Sequence, residues 1–187
     1  RFYEDMHVDH KRLSHEEAMQ AIYIKGRDNA RTPVQWDASA NGGFSPEGVT
    51  PWIAVNPNYP AINAEAVLAD EDSIFYHYQQ LVALRRGKLK DLMVYAAFAP
   101  VDSVQVPHNE DEAVYAYTRT GGADGSPANE SLLVVSNFTA EEQERDFAVL
   151  SEAREAGARV ELVSSNYKDD AGSTLRPYEA KVYHIVR

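Results

Sequence analysis

The sequence contains no cysteine among its 187 residues. Disulfide bonds and thiolate metal sites are therefore excluded, and we expect the chain to work in a reducing, cytoplasmic setting. No apolar run approaches the ~20 residues that a transmembrane helix needs, so no membrane partner is predicted. The first residues show neither a secretory signal pattern nor an initiator methionine, which leads us to expect a fragment of a longer protein.

The sequence also has little positive charge. It carries 18 Lys and Arg residues against 29 Asp and Glu residues, which gives a formal net charge of -11. Nucleic acid is disfavoured as a partner because phosphate binding needs clustered Lys and Arg. Anionic membrane surfaces are disfavoured for the same reason. A neutral substrate such as a sugar is compatible with this charge, although the charge does not select it.

Residues 1–69 are predicted to form one short helix followed by a long irregular loop. Ser14 and Glu17 have the spacing of a capping box, and apolar residues follow at helical spacing. Beyond Gly26, frequent glycine and proline break any long element. We expect the loop to be ordered, because it carries large aromatic side chains that need packing partners: Trp36, Phe44, Trp52 and Tyr59.

Residues 70–90 are typical of a helix, with Arg85 and Arg86 in the last turn and Gly87 at the end. Residues 91–187 show short alternating segments separated by turn residues, which is typical of antiparallel strands. Their number and spacing predict a mainly β fold, an antiparallel β-sandwich. The candidate strands are residues 93–98, 113–119, 132–138, 145–149, 159–163 and 178–186.

The densest polar constellation is the run GRDNARTPVQW at residues 26–36. Arg27 and Arg31 lie four residues apart with Asp28 between them, and a guanidinium forms planar, two-point hydrogen bonds with carboxylates or sugar hydroxyls. Trp36 and Trp52 are suited to stacking on sugar rings. The same charges also suit a structural network that holds the loop together. The residues alone leave the ligand-binding and structural interpretations open.

Other signals of chemistry are weak. A group of acidic residues and histidines near the start lacks a second cluster at ligand spacing, so we interpret it as a solvated stretch rather than a metal site. The sequence has no phosphate-binding loop and no nucleophile elbow, and no two carboxylates are marked out as the pair of glycoside hydrolysis. No metal, cofactor or catalytic residue is predicted. The group comprises Asp5, His7, Asp9 and His10.

The segment YIKGRDNARTPVQWD at residues 23–37 strongly resembles the oligo-1,6-glucosidase group of the α-amylase superfamily, glycoside hydrolase family 13. That group includes dextran glucosidases, isomaltases and sucrose isomerases. Val34 is a departure, since methionine is usual there, but the exchange is apolar. Further matching segments extend almost to the end of the chain: GF at 43–44, PWI at 51–53, VNPNY at 55–59, IN at 62–63, DSIFY at 72–76, LR at 84–85, SNF at 136–138 and LRPYEA at 175–180.

The resemblance implies a place for each zone of the chain. The family has a (β/α)8 barrel with its active site at the C-terminal ends of the strands. Residues 1–90 then correspond to a remnant of the barrel, the loop after strand eight plus the eighth helix. Residues 91–187 correspond to the family's C-terminal antiparallel β domain. The implied parent is a retaining glycosidase that hydrolyses α-1,6- or α-1,4-linked glucose oligosaccharides.

The resemblance also implies roles for individual residues. The family's Asp nucleophile, Glu general acid and second Asp lie on earlier barrel strands, upstream of Arg1. We therefore expect the fragment to be inactive alone and to complete and stabilise the barrel, its missing partner. Arg27 is assigned to binding the non-reducing glucose, with Arg31 as second choice. The alternative function is a non-catalytic carbohydrate-binding module.

A further expectation concerns the helix at residues 70–90. Without its barrel partner this helix would leave apolar side chains uncovered in a monomer, and such a patch favours dimerisation or packing onto the sandwich. The side chains concerned are Ile74, Phe75, Tyr78 and Leu81.

Overall fold

The computed structural model describes residues 1–108, 110–122 and 126–187. The chain divides into two compact units, Arg1–Phe75 and Tyr76–Arg187. The resemblance implies a different boundary, at residue 90, between the barrel remnant and the C-terminal β domain. That boundary stays a prediction. No helix in the described part of the chain is long and apolar enough to cross a bilayer.

The first unit contains the predicted helix and the predicted long loop, together with shorter helical elements that the sequence did not predict. A π-helical turn at Glu4–Asp9 precedes helix α1 (His15–Lys25). Turns of 3-10 helix lie at Asp28–Ala30 and Ala40–Gly43, and helix α2 covers Ala64–Ala69. Between α1 and α2 the chain forms only these two short turns. Its course there therefore depends on side-chain and turn hydrogen bonds.

Helix α1 begins with the predicted capping box. The main-chain N–H of Glu17 donates to Ser14 Oγ at 3.2 Å, and the main-chain N–H of Ser14 donates to Glu17 Oε2 at 2.8 Å. These two bonds satisfy donors that the first turn of a helix leaves free. The main-chain and side-chain bonds from Ser14 also lower the pKa of the Glu17 carboxyl below its ordinary value.

Two helices precede the sheet, where the sequence predicts one helix over residues 70–90. Helix α3 covers Ile74–Arg86 and helix α4 covers Lys90–Val94. No residue of α3 is buried, and several of its large hydrophobic side chains are exposed. The expected exposure of Ile74, Phe75 and Tyr78 is thus confirmed, while Leu81 is half-buried.

The strands of the second unit form an antiparallel five-stranded sheet and a smaller two-stranded sheet. The larger sheet has the order β1-β2-β3-β7-β5, and β4 pairs with β6. Helix α5 covers Ala148–Glu155, between β4 and β5. The strand bounds are β1 Ala97–Pro100, β2 Val114–Thr120, β3 Glu130–Asn137, β4 Gln143–Glu144, β5 Arg159–Ser165, β6 Thr174–Leu175 and β7 Ala180–Val186.

Both faces of the five-stranded sheet carry packed apolar residues. On one face, alternate residues of β2, β3 and β7 pack against α5 and β6, with Leu133, Ile185 and Ala153 almost completely buried. On the other face, Leu132 of β3 packs with Leu89 and with Leu92 of α4. The prediction of a mainly antiparallel β fold over residues 91–187 is confirmed. The layer opposite the large sheet consists of α5 and the two-stranded sheet.

Two predicted strands are wrong in part or entirely. Residues 145–149 do not form a strand, because α5 begins at Ala148 and buries Leu150 and Ala153 three residues apart, which is helical spacing. The strand predicted over 93–98 begins only at Ala97, because Met93 belongs to α4 and packs beneath the sheet. The other four predicted strands correspond to β2, β3, β5 and β7.

Candidate functional site

The arginine loop, which we define as residues 26–36, starts at a glycine that the structure requires. The main-chain N–H of Gly26 donates to Ile22 O at 2.6 Å and ends α1. A Cβ atom at position 26 would lie 2.5 Å from the same carbonyl oxygen, a distance that real side chains do not tolerate. Any other residue would shift the point at which the chain leaves α1, and with it the two arginines that follow.

Arg27 and Arg31 flank a single turn of 3-10 helix. The main-chain N–H of Ala30 donates to Arg27 O at 3.0 Å, and that of Arg31 donates to Asp28 O at 2.9 Å. Because these main-chain bonds close the turn at both ends, the two arginines are held near each other. The sequence prediction that they form one polar group is consistent with this turn.

Both arginine side chains are exposed. Among the described residues neither guanidinium forms a hydrogen bond or an ion pair, and the expected charge network with Asp28 is not formed. Each guanidinium keeps five N–H donors in a planar fork. The turn therefore presents two cations whose donors are available for sugar hydroxyls or a carboxylate. Whether Arg27 and Arg31 have the roles that the resemblance implies stays a prediction.

The loop beyond the arginines is fixed by a pair of glycines. The main-chain N–H of Trp36 donates to Gly42 O at 2.7 Å, and both Gly42 and Gly43 have positive φ, at 62° and 68°. A Cβ at Gly43 would lie 2.6 Å from Asp37 Oδ2. Only glycine allows the chain to fold this closely over the Asp37 carboxylate.

Asp37 is held by its own turn rather than by the arginines. Its Oδ1 accepts hydrogen bonds from the Ser39 hydroxyl and, at 2.8 Å, from the Ser39 main-chain N–H. These bonds, the hydroxyl first, lower the pKa of the Asp37 carboxyl below its ordinary value. Asp37 therefore stays an anion at neutral pH and serves the local turn.

Two amide side chains that sequence reasoning missed order the segment between the arginine loop and α2. Gln35 Nε2 donates to Asn58 Oδ1 at 3.1 Å and also to Ile62 O. The buried Asn63 caps α2 by accepting from Ala66 N–H at 2.8 Å. The available signal was an Asn just before the alanine-rich run that becomes α2, which is typical of an N-cap.

Exposed indole rings accompany the arginines in the first unit. The Trp36 side chain is half exposed, and that of Trp52 is 90% exposed. Meanwhile the main-chain carbonyls of Gln35 and Trp36 accept from Ala64 and Glu65 at 2.9 Å. The backbone beside Trp36 is thus ordered by main-chain bonds. The expectation that packing orders the loop is wrong for Trp52, whose ring is almost fully exposed.

No group of three or more His, Cys, Asp or Glu residues within the described ranges could hold a metal ion. The acidic and histidine-rich start of the chain contains instead an exposed pair, with His10 Nε2 and Asp5 Oδ1 3.5 Å apart. The chemistry that the first unit offers is hydrogen bonding by guanidinium groups and stacking by indole rings.

Known proteins that resemble this chain define a class. Oligo-1,6-glucosidase from Bacillus cereus is 41% identical over 176 residues, which cover 91% of this chain. Trehalose-6-phosphate hydrolase from Bacillus subtilis is 37% identical over 178 residues, which cover 95%. The crystal structure of trehalose-6-phosphate hydrolase from Bacillus licheniformis matches 94% of this chain with a TM-score of 0.75 and 35% identity. The chain therefore has the sequence and fold of glycosidases.

Within that class the family is also defined. The model of the alpha amylase catalytic domain matches residues 2–95, which is 94 of the 187 residues and includes the whole arginine loop. The chain belongs to the alpha-amylase family. It spans 28% of the length of the Bacillus cereus relative, 29% of the Bacillus subtilis relative and 29% of the Bacillus licheniformis structure.

Proposed function

We propose that the chain is the C-terminal part of a retaining α-glucosidase that hydrolyses α-1,6-linked, or α-1,4-linked, glucose oligosaccharides. The observation that carries this proposal is the 41% identity to oligo-1,6-glucosidase over nearly the whole chain. A second oligo-1,6-glucosidase, from Parageobacillus thermoglucosidasius, is 42% identical over 175 residues. These relatives favour an oligosaccharide of glucose as substrate over the phosphorylated disaccharide in the name of the Bacillus subtilis relative.

In this proposal the chain alone is inactive. A retaining glycosidase needs a nucleophilic carboxylate and an acid–base carboxylate about 5–5.5 Å apart. The resemblance assigns these groups, and a third Asp, to barrel strands. Among the described residues of 1–96 no strand is present, which supports placing the catalytic carboxylates outside this chain. Its task is then to complete and stabilise the barrel, which is its proposed partner.

Arg27 is the proposed contact to substrate, and Arg31 is the second choice. The support is geometric: Gly26 fixes the exit from α1, the 3-10 turn orders the backbone, and the Arg27 guanidinium is unpaired among the described residues. Such a group can donate to two sugar hydroxyls or to a carboxylate that itself binds the sugar.

A carbohydrate-binding module without catalytic function is the alternative. The largely exposed Trp52 ring favours it, because indole rings stack on the apolar faces of sugars. An assay of the complete parent enzyme separates the two functions. A module attached to another activity would give no turnover of glucose oligosaccharides, whereas the proposed glucosidase releases glucose from isomaltose.

The same assay tests the substrate class. We expect kcat/KM to be highest for isomaltose and its longer homologues among a panel that includes maltose, sucrose and trehalose 6-phosphate. NMR spectroscopy should show the α anomer of glucose as the first product, because a retaining mechanism preserves configuration. Highest activity on trehalose 6-phosphate, or first release of the β anomer, would contradict the proposal.

A further inference from the structure

The sequence contains one asparagine that is followed directly by a glycine, at Asn41 and Gly42. In such a pair the main-chain nitrogen of the glycine can attack the side-chain amide carbon of the asparagine, because glycine has no Cβ to obstruct the approach. The pair lies in the turn of 3-10 helix at Ala40–Gly43, which follows the arginine loop. A reactive sequence is thus placed beside the candidate site.

The Asn41 side chain holds this turn in place. Its Nδ2 donates to Ser45 Oγ at 3.1 Å, to Pro46 O at 3.1 Å and to Val49 O at 2.8 Å. Two of these acceptors are main-chain carbonyls, which cannot donate in return. A carboxylate oxygen in the place of the amide nitrogen would therefore face other oxygens and lose these bonds.

The backbone of the same pair bonds to the end of the arginine loop. Gly42 O accepts from the main-chain N–H of Trp36 at 2.7 Å and from that of Asp37 at 3.3 Å. Asn41 and Gly42 both have positive φ, at 55° and 62°, a conformation that glycine and asparagine tolerate best. An additional backbone atom at this point would displace Gly42 O from its two donors.

The folded conformation blocks the attack on the side chain. The five-membered ring that forms needs the Gly42 nitrogen to eclipse the Asn41 Cβ about the Cα–C bond. The ψ of Asn41 is 22°, so that nitrogen instead nearly eclipses the main-chain nitrogen of Asn41. The Gly42 N–H also donates to Ser39 O at 2.9 Å. The reaction therefore requires the turn to open first.

We propose that Asn41 is a site of spontaneous deamidation that is closed in the folded chain and reacts when the turn opens. The Gly42 nitrogen forms a bond to Asn41 Cγ and gives up its proton, and the side-chain nitrogen gains a proton and leaves as ammonia. Water then opens the cyclic imide. Attack at Cγ gives aspartate, and attack at the main-chain carbonyl carbon gives isoaspartate, in which the chain continues through Cγ.

Both products loosen the loop. Aspartate places a carboxylate oxygen opposite Pro46 O and Val49 O. Isoaspartate in addition lengthens the backbone by one carbon atom before Gly42, so the bonds to Trp36 and Asp37 are displaced. The change is irreversible, and its extent reports how often the turn has opened. The site needs no substrate and is independent of the proposed glucosidase function.

Mass spectrometry of peptides from the 187-residue chain tests the proposal. The chain is incubated in water enriched in heavy oxygen at mildly alkaline pH, once folded and once in concentrated guanidinium chloride. We expect Asn41 to give aspartate and isoaspartate at least about tenfold faster in the denaturant. Asn166, which is exposed but precedes the bulky Tyr167, is the internal control and should react far more slowly than Asn41 in the denaturant. Equal rates for Asn41 in the two states, or no reaction in the denaturant, would overturn the proposal.

Substitutions separate the opening of the turn from the chemistry. Ser45→Ala removes one acceptor of the Asn41 amide and should speed the reaction about two- to tenfold in the folded chain, with no change in the denaturant. Ser151→Ala, at an exposed hydroxyl of the second unit, should change neither rate. Asn41→Asp reproduces one product and should speed hydrogen exchange of the Trp36 amide about tenfold. An unchanged folded rate in Ser45→Ala, or unchanged exchange at Trp36 in Asn41→Asp, would show that the amide does not hold the turn and would contradict the proposal.

Discussion

Arg176 and Glu179 form a two-point ion pair in the second unit, with Nη2 2.8 Å from Oε1 and Nε 3.2 Å from Oε2. The Glu179 side chain is completely buried. The main-chain N–H of Arg176 also donates to Glu179 Oε2 at 2.8 Å, and the guanidinium lies 4.0 Å from the centre of the Tyr167 ring. The pair thus ties the segment after β6 to the start of β7.

We predict that Arg176→Ala lowers the free energy of unfolding by about 3 kcal/mol, because it removes both guanidinium bonds from a buried carboxylate and leaves it the more distant cation Lys181, whose Nζ lies 3.8 Å from Oε1. The control is Arg159→Ala, which removes an equally short ion pair, 2.8 Å to Glu161, whose arginine is 75% exposed. We expect that change to cost only about 0.2–1 kcal/mol. Urea unfolding measures both values, and equal losses for the two variants would contradict the prediction.

The carboxylates of Glu179, which is buried, and Asp170, which is partly exposed, also predict how stability depends on pH. Burial alone would raise the pKa of Glu179, but hydrogen bonds from the Arg176 side chain and main chain outweigh it, and the pKa falls below its ordinary value of 4.5. Burial is likewise outweighed at Asp170, where bonds from Lys181 and Tyr183 lower the pKa below 3.8. In both cases the unfolded chain takes up protons at a higher pH than the folded one.

The stabilisation that Glu179 and Asp170 contribute is therefore fully present above their pKa values in the unfolded chain. It is lost as the pH falls through their lower pKa values in the folded chain. We predict that the free energy of unfolding declines steadily below about pH 5. Denaturant titrations at a series of pH values from neutrality to about pH 3 would measure the decline. A free energy that stays constant across that range would show that these carboxylates are not stabilised by their partners.

The burial of Lys181, close to Glu179 and Asp170, could not be predicted from the sequence. Lys181 is completely buried, and its Nζ donates to Asp170 Oδ1 at 3.0 Å and to two main-chain carbonyls. Alternation along β7 predicted the strand correctly, but lysine is almost always exposed. Its burial depends on a loop 11 residues away that folds back to supply the oxygens, and short-range patterns carry no information about that loop.

Helix α5 was missed for a different reason. The run from Arg145 to Val149 alternates briefly, which favours a strand, yet Phe147, Leu150 and Ala153 recur every three residues and are all buried. Gly157, with a φ of 76°, follows the end of this helix as a C-terminal glycine does. The helical spacing of the buried residues becomes visible only over a stretch of sequence longer than residues 145–149.

For the candidate site, the sequence supplied the residues but not their contacts. The motif at residues 26–36 predicted a polar turn, and the turn is present. It did not predict that, among the described residues, neither arginine pairs with Asp28. Ion pairs along a helix form between residues three or four apart on one face, whereas Arg27 is adjacent to Asp28 and Arg31 lies outside the turn. The 3-10 turn here covers only Asp28–Ala30.

In the complete parent, we predict that Arg27→Ala lowers kcat/KM far more than it lowers thermal stability. A charge-assisted hydrogen bond in a closed pocket contributes roughly 1.5–3 kcal/mol, so each bond lost should cost about one to two decades in kcat/KM. Arg31→Ala is the matched variant on the same turn. If Arg31 only holds the loop, its loss should lower the melting temperature with a smaller kinetic change. Near-normal kcat/KM for Arg27→Ala would remove Arg27 from the substrate site.

The uncovered side of α3 predicts self-association of the isolated chain. Ile74 and Val82 are exposed apolar residues on this helix, and an apolar patch of this kind favours contact with a second copy. Sedimentation analysis should show a dimer whose population grows with concentration. Ile74→Asp should shift the equilibrium to monomer, while Gln79→Asp, at an exposed polar position of the same helix, should not. A monomer at all concentrations would contradict the prediction.

The central claim is that this chain is a non-catalytic part of an α-glucosidase. The most direct measurement is an assay of the pure 187-residue chain with isomaltose, maltose and p-nitrophenyl α-glucoside, alongside the complete parent enzyme. The account predicts turnover by the parent and none by the chain, because the proposed function places the two carboxylates of a retaining mechanism elsewhere in the protein. Turnover by the chain, in a preparation free of host glucosidase, would contradict the account.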